Sequence, residues 1–143
     1  MGMQGPITQS EVRVRYAETD QMGIAHHTAY LVWCEVARTD YLRSQGIAYR
    51  DLEAAGLRLP VVHAELTYRA AARYDDVLVI RCWVSQAASR KVVFAYDISR
   101  PADQRLLATA QITLMAVDSQ HAVTTLPAQV LGRLVVAGGR ARR

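Results

Sequence analysis

The strongest constraint on how this chain folds is one stretch of about 18 residues, Thr28 to Gln45, with a helical apolar period. Tyr30, Leu31, Cys34, Ala37, Tyr41 and Leu42 recur there at spacings of three and four. Thr28 stands where an N-cap is expected and Gly46 where a helix stops. At 1.5 Å per residue such a helix is roughly 27 Å long, enough to cross a small domain. Val32 and Trp33 spread its apolar surface round most of the girth, so the helix must be enclosed by the rest of the chain.

The sequence on either side is rich in β-pattern. Val12, Val14 and Tyr16 alternate with Arg13 and Arg15, which predicts a strand over Glu11 to Tyr16. Four further strands are expected, about Leu59 to Arg69, Val77 to Ala87, Lys91 to Ser99 and Leu106 to Val117. Between the last three lie short breaks, Ala88-Ser89-Arg90 and Arg100-Pro101-Ala102-Asp103, and Tyr74-Asp75-Asp76 precedes them. Short links favour antiparallel neighbours. A short amphipathic piece, Tyr49 to Ala55, ends at Gly56, and Pro127 to Val136 reads as a terminal helix weakened by Gly132. The expected class is α+β, a curved antiparallel sheet of about five strands wrapped around one long central helix. Its edge strands need protection, and dimerisation through one of them is the expected remedy.

With 143 residues, 51% of them hydrophobic and 21% charged, the chain fits one globular domain over 1–143, with a core from about 11 to 127. No apolar run approaches the ~20 residues of a membrane helix, and the first residues carry no export pattern. A cytoplasmic location and no integral membrane segment are therefore expected. Cys34 and Cys82 then read as reduced apolar residues. The net charge of +4 is not spread over the body: Arg133, Arg140, Arg142 and Arg143 supply it without an acid nearby. A basic tail over about 137–143 is thus a solvated end, and no nucleic-acid partner is expected.

Reactive groups concentrate between Tyr16 and Tyr30. Asp20 and Gly23 fall in the aperiodic connection from Ala17 to His27, and His27 lies at the mouth of the long helix. Unpaired N–H groups and the positive end of the dipole suit that helix end to a developing oxyanion, and Asp20 is near enough in sequence to act on a carbonyl held there. Asp also stabilises turns through local N–H groups, and His27 is equally an ordinary polar residue at a helix end; both readings stand at this point.

The stretch R-V-R-Y-A-E-T-D-Q-M-G-I-A-H-H-T-A-Y-L, followed by W-C-E-V-A-R-T-D-Y-L, resembles the hotdog-fold acyl-CoA thioesterases of the 4-hydroxybenzoyl-CoA thioesterase superfamily, most of all their Tol-Pal-associated branch. The family pattern of Tyr, Asp, Gly, His and Tyr is filled by Tyr16, Asp20, Gly23, His27 and Tyr30. A-A-R-Y-D-D and Q-I-T-L-M-A-V-D extend the likeness over about Val12 to Pro127. The resemblance implies the hotdog fold and hydrolysis of acyl-CoA thioesters to free acid and CoA, with CoA part of the substrate and no separate cofactor. It makes Asp20 the base or nucleophile, the N–H near His27 the oxyanion donor, and the His27 and Tyr16 side chains their helpers. Gly23, His26 and Tyr30 are implied at the substrate, and Glu35 matches a family Glu that shapes the site or else pairs with Arg38. Homodimers or dimers of dimers with sites at subunit boundaries are implied too, so His63 and Glu65 are expected to face a second copy. Arg73, Arg90 and Lys91 are candidates for the CoA phosphates, or solvated turn charges. Two positions depart from the family: Ala71 replaces a common Pro, and His26 a common Tyr or Phe.

No metal is expected. About 10 Å of helix separates His27 from Cys34, too far for one zinc ion, and neither H-E-x-x-H nor C-x-x-C occurs. The sequence also lacks G-x-G-x-x-G, a Walker loop and G-x-S-x-G. Two rivals to hydrolysis remain: a hotdog hydratase or dehydratase on a thioester-bound chain, and a non-catalytic acyl-CoA binder.

Overall fold

In the computed structural model, which describes residues 5–134, five strands form a single antiparallel sheet in the order β1-β3-β4-β5-β2. Strands β1 (Thr8–Arg13), β2 (Val61–Tyr68), β3 (Val77–Ala87), β4 (Lys91–Arg100) and β5 (Arg105–Met115) are joined with helices α1 (Ala29–Ser44), α2 (Tyr49–Ala54) and α3 (Ala128–Leu131). The short turns make β3, β4 and β5 a meander. The long excursion through α1 and α2 carries the chain from one sheet edge, β1, to the other, β2. This is the α+β arrangement expected from the periodicities and the hotdog fold that the resemblance implies.

Alternation divides the sheet into two faces. Leu78, Ile80, Cys82 and Val84 of β3, with Phe94, Tyr96 and Ile98 of β4, turn inward and are fully buried against Cys34, Ala37 and Tyr41 of α1. Outward positions carry the opposite chemistry, as where Arg81 clamps Asp97 across β3 and β4.

Four expectations need correction. The first strand lies earlier than expected, because Thr8 to Ser10 continue the ladder with Cys82 to Ile80, while Tyr16–Glu18 closes into a 3-10 turn. Thr28 occupies the N-cap position of α1 but makes no side-chain cap bond, since its hydroxyl faces His26 instead. The helix is not enclosed all round: Leu31, Val32 and Val36 remain 38%, 49% and 40% exposed, because α1 packs over the β1 and β3 side of the sheet. The terminal helix is one turn only, ending at Gly132. Its expected last residues, Val135 and Val136, and the basic tail lie outside the described residues. Gly46 does stop α1, at a φ of +76° that other residues adopt with strain.

Candidate functional site

The connection from Ala17 to His27 is a small, tightly pinned hairpin. Thr19 bridges Ala25, Ile24 bridges Arg73, and Ala25 N–H donates to the Ala72 carbonyl at 2.8 Å. Gly23 turns it at φ +80°; a Cβ there would meet nothing within 4 Å, so the requirement is conformational. The hairpin is anchored from beneath by Glu18. This buried carboxylate accepts from Trp33 Nε1 at 3.1 Å and from Arg15 N–H at 2.8 Å, tying the loop to α1.

These ties bring Asp20 and the start of α1 to one hollow. A cleft of about 380 Å³ is lined by Asp20, Met22, His27, Tyr30, Tyr68 and Arg69, among others. Asp20 is half-buried; its Oδ1 accepts from Met22 N–H at 2.8 Å, and no donor among the described residues reaches Oδ2. One oxygen thus fixes the turn while the other keeps a free lone pair. The His27 N–H meets no acceptor among the described residues, whereas the Ala29 N–H is taken by the His26 carbonyl at 2.9 Å. One cleft is thus lined both by a residue with an unengaged carboxylate oxygen and by one with an unmet N–H at a helix start, the two kinds of group that acyl transfer from a polarised carbonyl requires.

Tyr68 and Arg69 escaped sequence reasoning. The Tyr68 hydroxyl donates to the His27 carbonyl at 2.9 Å, fastening the end of β2 to the helix mouth. Burial, with Tyr30 and Cys34 nearby, pushes its pKa up, so the phenol keeps its proton. The only signal for it was an aromatic residue closing a predicted strand. Tyr30 lines the cleft but is nearly inaccessible, and its hydroxyl accepts from Ala72 N–H at 3.1 Å; its visible work is to hold the wall.

Other expected site residues are not gathered here within one chain. Tyr16 is 77% exposed, packs edge-on against Tyr74 and does not line the cleft. His26 stands behind His27, their rings stacked 4.3 Å apart. Glu35 faces a separate groove with Val32, Val36 and Thr39. It makes no pair with Arg38, which turns inward and donates to the Tyr96 hydroxyl at 3.0 Å. His63 contacts Glu65 at 3.1 Å on the exposed face of β2. Arg73 is exposed at the rim, across the bridge from Ile24. Arg90 and Lys91 lie at the far end of the sheet: Lys91 pairs with Met115, while Ile98 pairs with Ala108 beside Tyr68, roughly 23 Å away along β4. Among the described residues no three His, Cys, Asp or Glu side chains converge as metal ligands would.

Comparison with known proteins gives consistent results. A family model described as "Thioesterase-like superfamily" matches residues 14–134. A Bacillus subtilis (strain 168) protein named "Putative acyl-CoA thioesterase YneP" is 40% identical over 98 residues, 68% of this chain and 71% of that protein. The acyl-CoA thioester hydrolase YbgC of Escherichia coli O157:H7 is 33% identical over 107 residues, 75% of this chain and 79% of its own length. Among solved structures, the DHNA-CoA thioesterase from Staphylococcus aureus superposes with a TM-score of 0.81 at 30% identity, covering 84% of this chain and 80% of its own.

Proposed function

The chain belongs to the thioesterase-like superfamily, and from that premise we propose how it works: as an acyl-CoA thioesterase in which Asp20 and the start of α1 act together across the cleft. The observation that carries this reading is the shared hollow, lined by both Asp20 and His27, with no hydrogen-bond partner among the described residues at Asp20 Oδ2 or at the His27 N–H. The thioester carbonyl oxygen accepts from the His27 N–H, which draws electron density from the carbonyl carbon. Asp20 Oδ2 removes a proton from a water molecule as its oxygen bonds to that carbon. The tetrahedral oxyanion then collapses, the C–S bond breaks, and the CoA sulfur takes the proton held by Asp20. Acid and CoA leave with no redox change and no cofactor. The same oxygen is also free to attack the carbon directly, giving a mixed anhydride that water then opens.

The likeness to YbgC supports placing the chain in the Tol-Pal-associated branch, and both cysteines are free and buried, which suits a reducing cytoplasm. No helix among the described residues is long and apolar enough to cross a membrane. A homodimer through β2 accounts for what one chain leaves open. Every residue of β2 but Leu66 is exposed, and α1 carries a bare apolar flank of Leu31, Val32 and Val36. Pairing two β2 strands about Ala64 sets His63 of one copy opposite Glu65 of the other and brings the Arg90 end of each sheet towards the other copy's cleft.

Thiol release from a panel of aryl, short aliphatic and longer acyl groups, each on CoA and on acyl-carrier protein, tests the reading. Turnover of at least one member is expected. Tight binding without thiol release indicates a binder, and addition or loss of water across the acyl Cα–Cβ bond without release indicates a hydratase or dehydratase.

A further inference from the structure

Helix starts leave N–H groups unmet, and the N-cap side chain ordinarily accepts from one of them. Thr28 fills that position in α1 with helical angles, φ −72° and ψ −22°, and provides no such bond. His26 stands in its place. Its Nδ1 lies 3.3 Å from Thr28 N and 2.8 Å from Thr28 Oγ1. A backbone N–H only donates, so Nδ1 must carry a lone pair and the ring proton must reside on Nε2. The residue is fixed on two further sides: His26 N–H donates to the Glu18 carbonyl at 2.6 Å, and the ring stacks on His27 with planes 30° apart. His26 itself is not part of the cleft lining, whereas His27 is.

We propose that His26 is a positioning residue: as the neutral Nε2–H tautomer it caps α1 in place of Thr28 and so fixes the His27 ring and peptide at the cleft wall. Its kinetic consequence rests on the hydrolytic reading above; its effect on the Thr28 amide does not. Protonation of Nδ1 replaces an acceptor with a donor, breaks the contact to Thr28 N–H and sets an imidazolium against the His27 ring. The contacts of the His26 ring and N–H among the described residues are the His27 ring, Thr28 and the Glu18 carbonyl, and the Glu18 carboxylate itself is engaged by Arg15 and Trp33.

Two variants separate acceptor from ring. His26→Phe keeps an aromatic stack and loses the acceptor; His26→Asn keeps an oxygen that accepts from an amide. At neutral pH, His26→Phe is expected to lower kcat roughly fivefold, the scale of one lost capping bond, with KM nearly unchanged. Any dependence of wild-type kcat on the protonation of His26 is expected to vanish in this variant, and His26→Asn is expected to recover most of the rate without that dependence. In wild type the Thr28 amide resonance should move with the titration of the His26 ring. A Thr28 amide that ignores that titration overturns the proposal, as does a His26→Phe enzyme with wild-type kcat and pH profile. If wild type turns over no acyl-CoA, the hydrolytic reading fails, and the amide titration still decides the role of His26. The same measurement decides it if His26→Phe does not fold.

Discussion

At the residue scale the site depends on how one carboxylate is divided. Asp20 holds its turn with Oδ1 while Oδ2 has no donor among the described residues, so its turn-stabilising role is seen and the proposed chemical role has an oxygen left to it. Its position and that of His27 were legible because they lie in one short stretch. Glu18, Tyr68 and Arg69 were not. Glu18 matters only once Trp33 packs above it, and Tyr68 only once the chain returns 41 residues later to the His27 carbonyl. Glu18→Ala strands the indole N–H in a buried place; it is expected to lower stability by about 1–3 kcal/mol in urea unfolding and to raise the mobility of the Asp20 loop. Cys34 gives a second check: burial pushes its thiol up to about 12, so in native protein it should resist a thiol reagent that labels it at once in denaturant.

At the element scale, period and turn chemistry located β2 to β5, and β3 begins and ends where the pattern predicts. The misplacement of β1 has a plain cause: Thr8, Gln9 and Ser10 lack an apolar alternation, and only pairing with Cys82 to Ile80 makes them a strand. Gly46 terminates α1 in the left-handed region, and Gly46→Ala is expected to destabilise by about 1–2 kcal/mol, read as a lower urea midpoint with unchanged slope. The turn from β4 to β5 carries a pH signature. Arg100 bonds Asp103 and holds its carboxyl below the ordinary range. A depressed folded-state pKa means the contact stabilises at pH values above the ordinary carboxylate range and is lost as pH falls through the lower folded value. Asp103→Asn should therefore flatten the acid limb of melting temperature against pH relative to wild type.

At the scale of the whole molecule, the enclosed helix expected from the sequence is half realised. The sheet covers one side of α1 and leaves Leu31, Val32 and Val36 bare, and the edge strand β2 has an unpaired side; the proposed homodimer would use these surfaces. Sequence periodicity marks which residues are apolar but not which apolar face the sheet leaves uncovered. Val36→Glu is expected to shift the sedimenting species from dimer towards monomer; a wild-type chain that is monomeric at micromolar concentration contradicts the assembly. The central claim is that the free oxygen of Asp20 drives thioester cleavage opposite the start of α1, and Asp20→Asn tests it most directly, because the amide still accepts from Met22 N–H and leaves the turn intact. With folding verified by circular dichroism, the account predicts that CoA release falls by roughly 10²- to 10⁴-fold. Release at the wild-type rate from this variant contradicts it.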